Sequence, residues 1–94
     1  MAVVIVNEMQ GAGQDTYDKV NPKVMPGGKL PEGCEVHIAG PSDNGWRVIT
    51  VWESEEKFND FRDSTLIPAL KEADEEGRIA PKISANPVHN LLKA

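Results

Sequence analysis

A chain of 94 residues makes one domain, and at this length folding hides only about 60–65% of the surface of the unfolded chain, so association with a second copy would help it. Asp and Glu outnumber Lys and Arg 15 to 10, a net charge of −5, which argues against nucleic acid and anionic membranes as partners, because both reward basic patches. The single cysteine, Cys34, cannot form an intramolecular disulfide, and with no signal-peptide pattern and no long apolar run the chain is expected to be cytoplasmic.

Ala2 to Met9 reads as a strand whose continuous apolar run places it centrally, buried on both faces, with Asn7 on the same face as Val3 and Ile5. Gly11 and Gly13 break it. Gln14 to Val20 is expected to be a short helix with Asp15 in its first turn and Tyr17 and Val20 on one side, ended or kinked by Pro22. Met25 to Gly33 is a loop by its density of Pro and Gly. Cys34 to Ala39 is a second strand, whose faces divide Cys34, Val36 and Ile38 from Glu35, His37 and Ala39.

Gly40 to Gly45 is a turn, so the second and third strands pair as a hairpin. Gly45 to Glu53 carries the strongest strand signal, with Val48, Ile49, Thr50 and Val51 all β-branched. Trp46, Val48, Thr50 and Trp52 share one face; Arg47, Ile49, Val51 and Glu53 share the other. Ser54 is the expected N-cap of a helix, and Glu55 and Glu56 set negative charge at its positive end. That helix runs to about Glu76, with Phe58, Phe61, Leu66, Leu70 and Ala73 as its buried stripe, a bend or break near Ser64 to Ile67 ahead of Pro68, and Gly77 as its C-terminal cap. Lys82 to Asn90 forms a last strand, pushed to a sheet edge by Pro81 and Pro87.

The order strand, helix, strand, strand, helix, strand predicts an α+β, ferredoxin-like domain: a four-stranded antiparallel sheet with both helices on one face. The opposite face, including Val4, Val6, Ile49 and Val51, is then bare, and a homodimer through that open face is the expected remedy.

Several residues carry candidate chemistry. Asn7 is an amide in an apolar strand and must be hydrogen-bonded, either to a neighbouring loop or to a substrate oxygen. Trp52, delivered to a strand–helix junction, is a core aromatic, a pocket wall, or both. His37 and His89 are, by residue type, the candidate general bases, against the plainer role of surface or interface histidines. Tyr17, Trp46, Phe58 and Phe61 are candidate substrate-binding residues, with helix packing for Tyr17 and sealing of the hairpin end for Trp46 as the alternatives. No acidic or Cys/His cluster has ligand spacing, so no metal site is expected; Cys34 lacks a basic neighbour and is expected to be an inert thiol. Gly11-Ala12-Gly13 is too short for a dinucleotide fingerprint.

Length, element order, the first strand with Asn7, and the run Val48-Ile49-Thr50-Val51-Trp52-Glu53-Ser54 followed by Phe58 and Phe61 resemble the dimeric α+β barrel superfamily, and within it the antibiotic biosynthesis monooxygenase-like domains. The resemblance spans nearly the whole chain and implies two sheets packed into a barrel, with a pocket in each protomer between sheet and helices. It implies a cofactor-independent monooxygenase acting on an aromatic or polyketide-like substrate, with Asn7 and Trp52 matching the Asn and Trp of the quinone-forming members. Haem-degrading members add an axial histidine on the second helix; here that stretch, Pro68 to Ala73, has none, which speaks against haem, and no cofactor is expected. The alternative is a dimeric accessory protein that binds a small apolar molecule without chemistry.

Overall fold

The computed structural model describes residues 1–94. Strand β1 (Val3–Gln10) leads through a turn at Gly11 into helix α1 (Gln14–Val24). Strands β2 (Cys34–Ser42) and β3 (Gly45–Trp52) follow as a hairpin closed by Asp43 and Asn44. Helix α2 (Glu55–Phe61) passes through a π turn (Arg62–Leu66) into α3 (Ile67–Ala73), and β4 (Ala80–Pro87) completes the sheet. The strand order is β2-β3-β1-β4 with every neighbour antiparallel, the ferredoxin-like arrangement. No helix is long and apolar enough to cross a membrane.

Alternation sets the faces of the central strands. Val3, Ile5, Asn7 and Met9 of β1 are buried under the helices, while Val4, Val6 and Glu8 on the other face are half-buried. The expectation that β1 is covered on both faces therefore fails within one protomer, because both helices lie on the same side. In register across the open face run Val36, Val51 and Val4, then Ile38, Ile49 and Val6, then Gly40, Arg47 and Glu8. The third row carries the 2.6 Å Arg47–Glu8 ion pair, whose guanidinium holds the Glu8 carboxyl below the usual carboxylate range.

In β2 the strict two-residue alternation breaks. The ladder pairs Cys34 with Trp52 and then Val36 with Val51, so Glu35 is an extra residue, a β-bulge. Cys34 consequently joins His37 and Ala39 on the helix side, and not Val36 and Ile38. The thiol is buried, sits 3.4 Å from the carbonyl oxygen of Val36, and has its pKa raised by burial, so it is a poor nucleophile.

Ser54 caps α2 as expected: its hydroxyl accepts the Lys57 N–H at 3.2 Å. Pro22 is absorbed without ending its helix, while the interruption expected ahead of Pro68 takes the form of the π turn. Around Pro22, α1 continues to Val24, and the Met25 N–H closes it on Asn21 O at 2.8 Å. Val20, Val24 and Met25 are all buried, and their packing outweighs the one bond the proline removes. Ahead of Pro68 the helix widens, the Ile67 N–H bonding Arg62 O five residues back, and the chain continues without a break. The helix ends earlier than expected, at Ala73. Asp74 leaves helical geometry there and its carboxylate accepts the N–H groups of Arg78 and Ile79 at 2.9 and 2.8 Å. Gly77 serves that turn, with a φ of 67°, and not the helix end itself.

The core is two clusters. One joins Met9, Ala12, Val20, Val24, Met25, Ala69 and Leu70; the other joins Val3, Ile5, Cys34, Trp52 and Phe58, with Phe61 packed against both. Gly45, where the hairpin meets the end of β1, has no room for a side chain: a Cβ there would meet the Met9 carbonyl oxygen. Gly45→Ala is expected to destabilise the fold by about 1–3 kcal/mol. At Gly13, where a Cβ meets nothing within 4 Å, alanine is expected to stay within about 0.5 kcal/mol of the parent. Urea unfolding of the two variants checks the contrast.

Candidate active site

Between the two clusters lies a cavity with the sheet as its floor and the helices as its roof. Ile5, Asn7 and Met9 of β1, His37 of β2, and Val48, Thr50 and Trp52 of β3 form the floor; Tyr17, Val20, Asn21 and Val24 of α1 and Phe58, Phe61, Leu66 and Leu70 of the second helical layer form most of the roof. The cavity is narrow, with a volume of ≈ 50 Å³. A polycyclic guest therefore has to displace wall side chains as it enters.

Trp52 anchors one end. It is fully buried, its indole N–H donates to Thr50 Oγ1 at 2.8 Å, and its ring packs edge-on to Phe58 and tilted on Phe61 at centroid distances of 5.7 and 5.1 Å. Thr50 and Trp52 are two apart on one strand, so the hydroxyl that pairs the indole comes from the same face. The indole plane is held by this bond and by two aromatic contacts.

Tyr17 and His37 form the polar end. The unbroken hairpin register sets His37 opposite Thr50 on the helix side, and α1 carries Tyr17 over it; the phenol oxygen and His37 Nε2 are 2.7 Å apart. The rings lie 6.0 Å apart, and the other side of Tyr17 packs against Trp46 at 5.5 Å. Burial lowers the imidazole pKa below its ordinary 6.5, so His37 is neutral at pH 7. Burial, aided by Asp18, raises that of the phenol, which stays protonated. One of the two groups donates to the other, and His37 Nδ1 is enclosed without any partner.

Asn7 lies on the central strand, one row beyond the row of Ile5, Thr50 and His37 as counted from Trp52; it is paired across the sheet with Val48 and Ile83, 5% exposed, with its Oδ1 unpartnered. Asn21, four residues after Tyr17 on the same side of α1, brings a second enclosed and unpartnered amide oxygen to the wall.

The structure thus gathers Asn7, Trp52, His37, Tyr17, Phe58 and Phe61 around one cavity. Trp46 stands behind Tyr17, outside the lining, with a buried and unpaired indole N–H. His89 lies exposed beyond the end of β4 and outside the lining. No group of three or more His, Cys, Asp or Glu side chains is placed to hold a metal ion. Sequence reasoning passed over Asn21 and Thr50 as polar wall residues. Both had a signal: Asn21 follows Tyr17 by four in a helix, and Thr50 precedes Trp52 by two in a strand.

No family model and no curated protein matches the chain. Solved structures do. SnoaB, a cofactor-independent oxygenase from Streptomyces nogalater, superposes with a TM-score of 0.66 at 14% identity over 99% of this chain and 98% of that one. A single-residue variant of SnoaB gives 0.67 at 15% identity over the same shares. A candidate antibiotic biosynthesis monooxygenase from Deinococcus radiodurans gives 0.62 at 12% identity, covering 100% and 98%. At such identities the likeness is one of fold. The chain therefore shares the fold of these oxygenase structures, a four-stranded antiparallel sheet with its helices on one face.

Proposed function

We propose that the protein is a small cofactor-independent monooxygenase that oxidises an aromatic or polyketide-like substrate in the cavity between sheet and helices. The observation that carries this reading is the neutral Tyr17–His37 pair, 2.7 Å apart, in a largely apolar cavity that also encloses the unpartnered oxygen of Asn7. With its Nε2–H donating to the Tyr17 oxygen, His37 offers the Nδ1 lone pair as the base. It takes a proton from an activated CH₂ of the substrate. The resulting carbanion passes one electron to dioxygen, the two radicals join in a C–O bond, and the peroxide loses water. One oxygen atom remains as a carbonyl, and the other leaves as water with the two hydrogens of the oxidised carbon. Asn7 orients a substrate oxygen on the sheet side, and Trp52 with Phe58 and Phe61 stacks the rings and keeps water away. His37 takes the role of base because it lies in this cavity, whereas His89 is exposed outside it.

The working unit is a homodimer closed through the open sheet face. Two apolar rows, with Ile38 56% exposed, end at the charged Arg47–Glu8 row, which is the anatomy of an apolar interface with a polar rim. Each such side chain that becomes fully buried contributes roughly 1.5–3 kcal/mol.

Three outcomes test this. With anthrone and oxygen, and neither flavin nor metal added, the protein should consume oxygen and release anthraquinone. Asn7→Ala and Trp52→Phe should each lower kcat/KM by tenfold or more, on the order of 1.4 kcal/mol; no uptake across a panel of anthrones sinks the reading.

The pH profile reports His37. Its lowered pKa should keep kcat/KM flat down past the ordinary imidazole value of 6.5 before the acid limb appears. Tyr17→Phe should move that limb. Stability carries the opposite side of the same shift: the unfolded chain protonates this histidine first, so stability falls as pH drops from 6.5 towards the lowered value. His37→Gln should remove that part of the slope in urea unfolding.

Sedimentation equilibrium at micromolar concentration should give twice the chain mass for the parent and one chain mass for Ile49→Glu. Ile49 is the better probe than Val51, which is already 7% exposed within the protomer and whose loss would also damage the monomer. A parent that sediments as a monomer overturns the dimer.

A further inference from the structure

Three polar atoms of the cavity wall are enclosed without a partner: Asn7 Oδ1, His37 Nδ1 and Asn21 Oδ1. The proposed reaction uses the first two, both on the sheet. Asn21 stands on the helix side and is left over. An amide oxygen taken from water without a replacement hydrogen bond is unfavourable. The cavity's own donors do not relieve it: the Trp52 indole N–H is held by Thr50, and neither the Tyr17 hydroxyl nor those of Thr16 and Thr50 bonds the Asn21 oxygen. Val20, Val24, Leu66 and Leu70, which share the roof, have no side-chain donor to offer. Two acceptors, one on the floor and one on the roof, thus await donors from a guest.

We propose that Asn21 is a specificity-determining residue: its amide oxygen accepts a hydrogen bond from a hydroxyl on the substrate edge facing α1, while Asn7 serves a hydroxyl on the edge facing the sheet. The cavity then selects aromatics with donors on two edges, and it discriminates against the same ring system when those donors are blocked. This rests on the reading of the cavity as an aromatic-substrate site. It adds what the substrate must carry and which residue reads it.

The test uses guests that do not turn over, so binding is measured apart from oxidation. The probes are anthraquinone, anthraflavic acid (an anthraquinone with one hydroxyl on each outer ring) and the dimethyl ether of anthraflavic acid, titrated into the full-length protein by calorimetry. The parent should bind anthraflavic acid about tenfold tighter than its ether, the effect of about one to two buried hydrogen bonds. Asn21→Leu, close to isosteric, should cut that preference by about fivefold while its affinity for the ether stays within about twofold. Asn21→Ala, favourable in a helix, guards against a misfolded leucine variant and should behave alike. If the parent prefers anthraflavic acid and both variants keep that preference, or if the ether binds the parent as well as the diol, the role of Asn21 is overturned and the aromatic site stands. If none of the three binds the parent, both fall.

Discussion

A carboxamide sits in the middle of the central strand, under the helices, with its oxygen unsatisfied. Asn7 is 5% exposed and its neighbours across the sheet are Val48 and Ile83, neither of which can pair it. An unpaired buried amide costs about 1–3 kcal/mol, a sizeable share of the stability of a small domain. Around that residue the core does not close. Met9 and the residues of α1 and α3 pack into one cluster and Trp52 with Ile5 and Phe58 into another, with the cavity between them. The rest of the fold supplies the apolar burial that makes such a place tolerable.

The two ends of the cavity are built by different means. At the Trp52 end, the orientation comes from local pattern: a threonine two residues back pairs the indole, and the Ser54 cap starts the helix that brings Phe58 and Phe61 onto the ring. At the Tyr17–His37 end, it comes from long-range contact between α1 and a bulged strand, backed by Trp46 from the hairpin. The second helical layer roofs both ends. Its π turn shifts the helix face by one residue ahead of Pro68, so that Phe61, just before the turn, and Leu66, its last residue, both reach the wall. A straight α-helix would have met Pro68 with a clash against the preceding turn.

The opposite side of the sheet has an independent logic. Its apolar rows belong to the same strands that carry the cavity floor, because every strand residue alternates between the two faces. A partner seated on Ile38, Ile49 and Val6 would stiffen β1 and β3 from behind, and with them Asn7, Thr50 and Trp52 on the front.

Much of this was legible in the amino-acid sequence, and the reason is locality. The element order, the Ser54 cap, the edge position of the proline-bearing last strand, and the shared face of Val48, Thr50 and Trp52 depend on residues within a few positions of each other, where period and capping chemistry act. Asn7 and Trp52 stood out for the same reason, an amide in an apolar run and an indole at a strand end. What depended on distant parts of the chain was not legible. Pro22 is expected to end or kink its helix, but packing of Val20 and Val24 carries α1 past it, whereas the interruption expected near Ser64 to Ile67 is present as the π turn ahead of Pro68. Strict alternation holds in β2 from Val36 to Ala39, and the bulge at Glu35 overturns it at Cys34. Because β2 has one more residue than β3 between Cys34 and Val36, Cys34 and His37 come to the same side. A bulge is a mismatch between two strands, so it exists only once they pair, and it is this mismatch that turns Cys34 to the helix side, where the hairpin register has set His37 opposite Thr50.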